Sequence, residues 1–317
     1  MEPPVDAFRP VTVALAYRLG EKRLGAVRLA GLGRATHYSR MEPYADLPDP
    51  GQESGQEAAF YFYPSYPVTF EPRRVERRGP WLVYTPYTFE NHYIDLRATG
   101  SFDAYLKQFS SKSRSTLVRK VRKFEEGEGG RADWRQYSTS QDVGTFLDLA
   151  APLAAGTYQA RLIGNALPSS ATFRARALER AAAGEVRAFL LFRAGRPIAY
   201  LFCFVTDGIA TYDFVGYDPA ESAASPGTIL QYFALQALFA DPACAMFDFT
   251  EGEGAQKAFF GREARRCAKS YFLRRSVRAI AVIRGHQALA WASDAFGATL
   301  DRLGLKDRLR RLLRRNA

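Results

Sequence analysis

The chain has 317 residues, of which 47% are hydrophobic and 14% aromatic, so it can build one large core or two smaller ones and is not a disordered polypeptide. Its formal charge of +11 favours an anionic partner, which would be nucleic acid, an acidic membrane surface or a phosphorylated small molecule. No apolar run reaches the roughly 18 residues needed to span a bilayer, and residues 1–10 lack the pattern of a secretion signal, so we expect a cytoplasmic protein.

Cysteine and histidine are too few and too scattered to suggest a redox or metal framework. Cys203, Cys244 and Cys267 are widely spaced, and the three histidines form no HExxH motif. We therefore expect neither a disulfide framework nor a metal site.

The first hundred residues have the pattern of a mostly β unit. Runs rich in Val, Tyr, Phe and Trp, bounded by Gly or Pro, predict strands at 11–19, 58–63, 81–84 and 92–96. Residues 43–56 mix Pro, Gly, Asp and Glu, which predicts a loop.

A basic helical segment follows at residues 101–130. Apolar residues recur at helical spacing from Phe102 to Phe124, although the polar residues 110–113 make two helices as good a prediction as one. The segment is rich in Lys and Arg from Lys107 to Lys123, and the glycines at 127, 129 and 130 predict a hinge after it.

Residues 131–280 predict the order β-α-α-β-β-β-α-β-α-β. The predicted strands are 132–137, 186–192, 198–204, 209–215, 245–249 and 268–274, and the predicted helices are 141–151, 171–183, 227–239 and 256–260. Short turns at 195–197 and 207–208 join consecutive strands, which is typical of an antiparallel meander. We therefore predict a mixed α/β (α+β) fold with a mostly antiparallel sheet flanked by helices.

One predicted helix begins with residues that suit a phosphate site. Ser225 suits the N-cap, Pro226 suits the first helical position, and Gly227 leaves the backbone approachable. Free N–H groups and the helix dipole at such an end favour a phosphate, although an ordinary capped helix explains the same residues.

Two short motifs stand on either side of residues 231–246. Ser-Pro-Gly-Thr-Ile-Leu occupies 225–230, and Phe-Asp-Phe-Thr-Glu-Gly-Glu occupies 247–253, with Lys257 after it. They resemble the SPG helix and the DFG-x-G-[DE]-x-x-Y-K pattern of the CelD-like branch of the GNAT superfamily, which is related to FemAB proteins. Thr250 replaces the first glycine and Gln256 replaces the tyrosine. The basic residues 109–126 are similar to the linker helix of that family.

The resemblance implies an N-acyltransferase with two GNAT-like units. It places a degenerate unit at 1–100, a basic linker at 101–130, the catalytic domain at 131–280 and basic amphipathic helices at 281–317. The implied donor is an acyl-CoA such as acetyl-CoA, and the implied acceptor is an amine, for which an amino sugar or an envelope or polysaccharide precursor is the favoured example. The FemAB relation leaves an aminoacyl-tRNA donor as an alternative. A non-catalytic GNAT scaffold that binds a membrane or nucleic acid is a third.

Acyl transfer to an amine requires a base, a polarised carbonyl and a proton for the leaving thiolate. The predicted catalytic residues are Asp248, Glu251, Glu253, Lys257 and Tyr217. The predicted acyl-CoA contacts are Val215, Ser225, Pro226, Gly227 and Thr228, and the predicted acceptor contacts are Thr157, Tyr158, Gln159 and Arg161. Because Asp248 alternates with Phe247 and Phe249, we expect it on the opposite face of its strand. Solvated carboxylates, a surface lysine and a polar loop explain the same residues.

The end of the chain predicts a basic amphipathic helix at 286–315. Leu289, Ala292, Phe296 and Leu300 share one helical stripe, and arginines dominate the residues that follow. Such a segment can lie on an anionic membrane, pack on its own domain or contact RNA, and the sequence leaves these alternatives open, as it does the oligomeric state.

Overall fold

The structure, a computed structural model, describes residues 8–19, 22–156, 167–252 and 254–302. Its strands are β1 (Phe8–Leu19), β2 (Lys22–Arg34), β3 (Phe60–Pro67), β4 (Val75–Arg78), β5 (Trp81–Tyr84), β6 (Thr88–Asp95), β7 (Trp134–Tyr137), β8 (Val186–Arg193), β9 (Arg196–Thr206), β10 (Ile209–Tyr217), β11 (Met246–Asp248) and β12 (Glu263–Arg274). Its helices are α1 (Pro50–Ser54), α2 (Leu96–Thr99), α3 (Phe102–Lys107), α4 (Ser111–Gly127), α5 (Ser140–Gly156), α6 (Ala171–Ala182), α7 (Pro226–Ala240), α8 (Ala255–Phe260) and α9 (Val277–Arg302).

The described residues divide into two compact units. The first contains the residues up to Asn91 together with those from Arg265 onward, and the second contains His92–Ala264. These limits differ from the predicted ones at 100, 130 and 280, because the last strand, β12, pairs with β3 and β5 of the first unit. The predicted class, a mixed α/β fold with mostly antiparallel sheets flanked by helices, is confirmed.

The first unit is a sheet in the order β1-β2-β3-β12-β5-β4. Neighbouring strands are antiparallel except β2 and β3. Sequence patterns missed β2 because glycines interrupt its apolar alternation. Gly31 is required by packing, since a Cβ there would lie 2.1 Å from the carbonyl oxygen of Phe60. The predicted loop at 43–56 contains the short helix α1, which Asp49 caps through the N–H of Gly51 at 3.1 Å.

The second unit contains the predicted β-α-α-β-β-β-α-β-α order, from β7 to α8. Its sheet runs β6-β11-β10-β9-β8-β7 and is antiparallel except between β10 and β11. Two apolar clusters cover opposite faces of this sheet: helices α3, α4 and α7 pack in one, and α5 and α6 pack in the other. The second cluster lies on the face that also carries Phe202, Phe204 and Phe214.

The basic segment forms two helices, α3 and α4, and the second is part of the core. Ser110 caps α4 by accepting a hydrogen bond from the N–H of Ser113 at 3.2 Å. Leu117, Val121 and Phe124 are buried at the spacing of one helical face, so α4 presents its basic residues on the other side. Among the described helices, none combines the length and hydropathy needed to cross a membrane.

Candidate active site

Strands β10 and β11 of the second unit separate after a short parallel contact, which we call the β10–β11 fork. Ile209–Thr211 pair with Met246–Asp248, after which β11 ends while β10 continues to Tyr217. Beyond Thr211, β10 has an edge that no described residue of β11 pairs with. Such an edge presents backbone N–H and C=O groups to an extended ligand.

Asp248 lies at the base of this fork, on the face predicted from its alternation with phenylalanines. Phe247 and Phe249 are fully buried in the cluster under α7, whereas Asp248 pairs in register with Thr211 and points to the α5–α6 side. Asp248 is 3% exposed, and its Oδ1 accepts a hydrogen bond from the N–H of Thr250 at 2.9 Å.

A second carboxylate at the fork, Asp213, was missed by sequence reasoning. The pairing of β9 with β10 shifts register between Tyr212 and Phe214, so Asp213 is the extra residue of a β-bulge. Its Oδ2 accepts a hydrogen bond from the N–H of Phe204 at 2.8 Å. Burial raises the pKa of Asp213 to about 6 against the opposing effect of that hydrogen bond, and the charge of Asp248 contributes to the rise. The available signal was a carboxylate in the middle of an apolar strand.

Lys257 supports the turn that follows β11. Its Nζ donates to the carbonyl oxygen of Glu251 at 2.7 Å, to that of Thr250 at 3.3 Å and to Oγ1 of Thr250 at 3.5 Å. Burial lowers the pKa of Lys257, while the charges of Asp248 and Glu251 oppose this shift. An ammonium group has three N–H donors, and these three contacts use them within the turn. Lys257 therefore binds the turn, whereas the sequence suggested that it could bind a phosphate or carboxylate of the substrate.

The turn after β11 shows how Thr250 can replace the first glycine of the family pattern. Thr250 has φ +61° and Gly252 has φ +106°, so both lie in the region that favours glycine. The Thr250 side chain lies within reach of Lys257 and its N–H bonds to Asp248, which supports a backbone conformation that is costly for threonine. The Glu251 side chain is exposed at the rim of this turn.

The start of α7 has a free donor where a cap was predicted. Ser225 occupies the N-cap position, as predicted, but its φ is +56° and its side chain makes no capping hydrogen bond. Its hydroxyl instead accepts from Nζ of Lys120 at 3.3 Å. Within the described residues, the N–H of Gly227 has no hydrogen-bond partner, and Pro226 has no N–H. Thr228 donates its N–H to the carbonyl oxygen of Ser225 at 3.0 Å.

Tyr217 and Val215 connect β10 to this helix start. A Cβ added to Gly227 would lie 3.6 Å from the Tyr217 ring, and Val215 packs against the apolar cluster under α7. Tyr217 is four residues beyond Asp213, which is about 13 Å along a strand. Tyr217 therefore belongs to the helix end of the fork and not to its carboxylate end.

Three cations of α4 surround the helix start, and we call Arg119, Lys120 and Lys123 the α4 cations. They line a cavity of about 520 Å³ together with Phe124, Arg193 and residues 223–225. Arg193 is neutralised by Glu128 at 2.8 Å and Glu221 at 2.5 Å. In the part of the chain that the structure describes, none of the α4 cations forms an ion pair, so the cavity is net positive.

Some predicted site residues lie outside the described residues, namely Glu253, Thr157, Tyr158, Gln159 and Arg161. Among the residues that the structure describes, no group of three or more His, Cys, Asp or Glu side chains could hold a metal ion.

Residues 111–259, which lie inside the second unit, match the family model described as the acetyltransferase (GNAT) domain. This segment is a GNAT domain. The sequence-based prediction of a GNAT relationship is thereby confirmed. Domains of this kind generally take an acyl group from acyl-CoA and transfer it to an amine.

Similar solved structures share little sequence with this chain. FemX is 9% identical with a TM-score of 0.45, covering 83% of this chain and 88% of FemX. A tandem GNAT protein from the clavulanic acid biosynthesis pathway is 14% identical with a TM-score of 0.39, and the match covers 80% of each chain. A conserved Bacteroides thetaiotaomicron protein of unknown function is 11% identical with a TM-score of 0.42, covering 62% of this chain. This chain spans 63% of the length of that protein. No curated protein sequence matches the chain.

Proposed function

We propose that the protein is an N-acyltransferase that moves an acyl group, in the simplest case acetyl, from acyl-CoA to an amine. The observation that carries this proposal is the β10–β11 fork, which has a net positive cavity and a free helix N–H at one end and two electrostatically coupled carboxylates at the other. A donor that is anionic at one end and reactive at the other matches this arrangement.

The donor would lie along β10. The amides of its pantetheine arm can bond to the open edge beyond Thr211, beside Val215 and Tyr217. Its phosphates would reach the Gly227 N–H at the start of α7 and the α4 cations. Pro226 and Thr228 fix the geometry of that helix start, so they would act through position.

The carboxylates at the fork would act on the amine acceptor, one as the base that removes its proton. A partly buried carboxylate with pKa about 6 is ionised at neutral pH and is a better proton acceptor than an ordinary aspartate. Asp213 would take the proton as the amine nitrogen bonds to the thioester carbon, and the C–S bond then breaks to release CoA thiolate, which solvent protonates. Asp248 would hold the turn after β11 and keep the Asp213 pKa high. Glu251 and Glu253 would face the acceptor from that turn.

The acceptor class we favour is an amino sugar or a glycan precursor of an envelope or polysaccharide pathway. Thr157, Tyr158, Gln159 and Arg161 would contact it from the segment that joins α5 to α6, because those helices cover the face that carries Asp248. Acyl-CoA is a cytoplasmic metabolite, so the reaction would occur in the cytoplasm.

The test measures CoA release with a thiol reagent, using acetyl-CoA and a panel of amines that includes amino sugars. Replacing Arg119 and Lys123 together by Ala should raise KM for acetyl-CoA about 10-fold or more, since each charge-assisted contact is worth about 1.5 kcal/mol. Lys112→Ala is the matched control, because Lys112 is exposed on α4 but does not line the cavity. Turnover absent with every amine, or an equal effect of the control, would contradict the proposal.

A second candidate is transfer from an aminoacyl-tRNA. The observation favouring it is that α4 carries further exposed basic residues outside the cavity, namely Lys112 and Arg122, of which Arg122 pairs with Glu126 at 3.4 Å. A polynucleotide would use these residues and a single pyrophosphate would not. Thermal stabilisation by tRNA that weakens steeply with salt, without stabilisation by acetyl-CoA, would select this candidate.

A further inference from the structure

Helix α9 of the first unit has two faces of different character. Ala279, Val282 and Ile283 are buried against the sheet of that unit, and the Tyr17 hydroxyl donates to the carbonyl oxygen of Val282 at 3.0 Å. On the same side, the Tyr84 hydroxyl lies 2.7 Å from Nδ1 of His286. The helix is therefore held against its own unit by one side. Of the predicted amphipathic segment at 286–315, residues 303–315 lie outside the described residues, and His286 is on the side that packs on its own unit.

The opposite side forms what we call the outer stripe of α9, which is exposed. Its members recur at steps of three and four residues over about 21 Å of helix. They are Val277, Ile280, Ala281, Arg284, Ala288 and Trp291. Val277 is 86% exposed, Ile280 is 47% exposed and Trp291 is 73% exposed. An exposed stripe of mostly apolar residues that contains one arginine and ends in an exposed tryptophan marks a contact surface.

The charged residues of α9 itself, and those just before it, have one sign as far as residue 293. Arg275, Arg278 and Arg284 are exposed, and the sequence has no Asp or Glu between residues 274 and 294. Arg275 and Arg278 lie at the N-terminal end of α9, where the helix dipole disfavours cations. An anionic partner would offset that unfavourable interaction. The outer stripe therefore favours a partner that offers both apolar contact and negative charge.

We propose that the outer stripe of α9 lies in the interface of an anionic lipid bilayer. Trp291 and Ile280 enter the boundary between headgroups and acyl chains, where tryptophan is preferred. Arg278 and Arg284 extend their stems over the apolar surface and place their guanidinium groups at lipid phosphates. A second copy of the chain fits less well, because a two-fold contact would bring arginines against arginines. Nucleic acid offers charge and bases that stack on a tryptophan, but nothing that matches Val277 and Ile280. The proposal is independent of acyl transfer.

The test uses the full chain with vesicles of phosphatidylcholine, with and without about one third phosphatidylglycerol. Co-flotation should require the anionic lipid and decline with salt. The chain has three tryptophans, and the other two, Trp81 and Trp134, are partly buried. A blue shift of tryptophan emission on vesicle binding should therefore come from Trp291 and disappear in Trp291→Ala.

Variants of the stripe should weaken partitioning without altering the thermal midpoint. We expect a loss of about 10-fold for Trp291→Ala and of about 5-fold for each of Arg278→Ala and Arg284→Ala. Leu24→Ala and Arg131→Ala are matched controls, since Leu24 is exposed on β2 and Arg131 is exposed in the loop between α4 and β7. Equal binding to neutral vesicles, or unchanged binding by Trp291→Ala, would overturn the proposal. So would a dimer in solution that Trp291→Ala converts to a monomer with no effect on vesicle binding.

Discussion

Replacing Asp213 by Asn tests both the electrostatics and the chemistry of the β10–β11 fork. Burial raises the pKa of Asp213 to about 6, so the folded state binds this proton more tightly than the unfolded chain does. The free energy of unfolding of the wild type should therefore fall as pH rises from about 4 to about 6, and then level off. A rise of roughly two pKa units corresponds to about 3 kcal/mol at pH 7. Asn keeps an oxygen that can accept the Phe204 N–H but has no charge to desolvate.

The measurement is urea unfolding of wild type and Asp213→Asn at several pH values between 4 and 7. Relative to wild type, the variant should gain up to about 3 kcal/mol of stability across that range. Asp207→Asn is the matched control, because Asp207 is exposed in the β9–β10 turn and Asn tolerates its φ of +52°. A difference between wild type and Asp213→Asn that does not change with pH would refute the raised pKa.

The same variant separates a base from a structural carboxylate. With a pKa near 6, the ionised fraction of Asp213 rises about 10-fold between pH 5 and pH 7. If the ionised form is the base, this change should by itself raise the wild-type kcat about 10-fold over that range. Asp213→Asn should lose roughly 100-fold or more in kcat, and its kcat should not show this 10-fold rise with pH. If the variant gains stability as expected but retains full kcat, the raised pKa of Asp213 would be supported and its role as the catalytic base would be contradicted.

Three further substitutions have defined outcomes. Gly227→Ala should raise KM for acyl-CoA about 10-fold, because a side chain at this position would obstruct the approach of a phosphate to the backbone N–H. Its thermal midpoint should not change, because the added Cβ meets the Tyr217 ring at an ordinary 3.6 Å. Gly144→Ala in α5 is the control, and equal KM values for the two variants would contradict phosphate binding at α7. Lys257→Met should lower the free energy of unfolding by about 1–3 kcal/mol, since carbonyl oxygens of the turn after β11 lose their donor. It should also lower kcat more than it raises KM for acyl-CoA, and unchanged kcat would show that the turn does not position the site. Arg187→Met should cost about 3–5 kcal/mol in urea unfolding because it leaves the largely buried partner Asp241 unpaired, and a loss below about 1 kcal/mol would contradict a structural role for that ion pair.

Local patterns of the sequence were sufficient for the order of elements in the second unit. Hydrophobic alternation and short turns predicted the meander of β8, β9 and β10, because each strand is bounded by residues that favour turns. The same alternation predicted the face of Asp248 between two buried phenylalanines. These features depend on neighbours in the chain, so one sequence contains the information for them.

Tertiary structure decided the features that depend on residues far apart in the chain. Asp213 became a candidate base because it is the extra residue of a bulge against β9, where burial and the charge of Asp248 raise its pKa, and a carboxylate in an apolar strand does not reveal such a neighbour. Ser225 reads as a cap in sequence, but its hydroxyl bonds to Lys120 of α4, which leaves the Gly227 N–H open. Strand β12 was predicted correctly as an element and placed in the wrong unit, because strand period does not specify the pairing partner. Length, charge and periodicity thus determined which segments fold into which elements, whereas burial and long-range contacts decided which charges are neutralised and which remain available for chemistry.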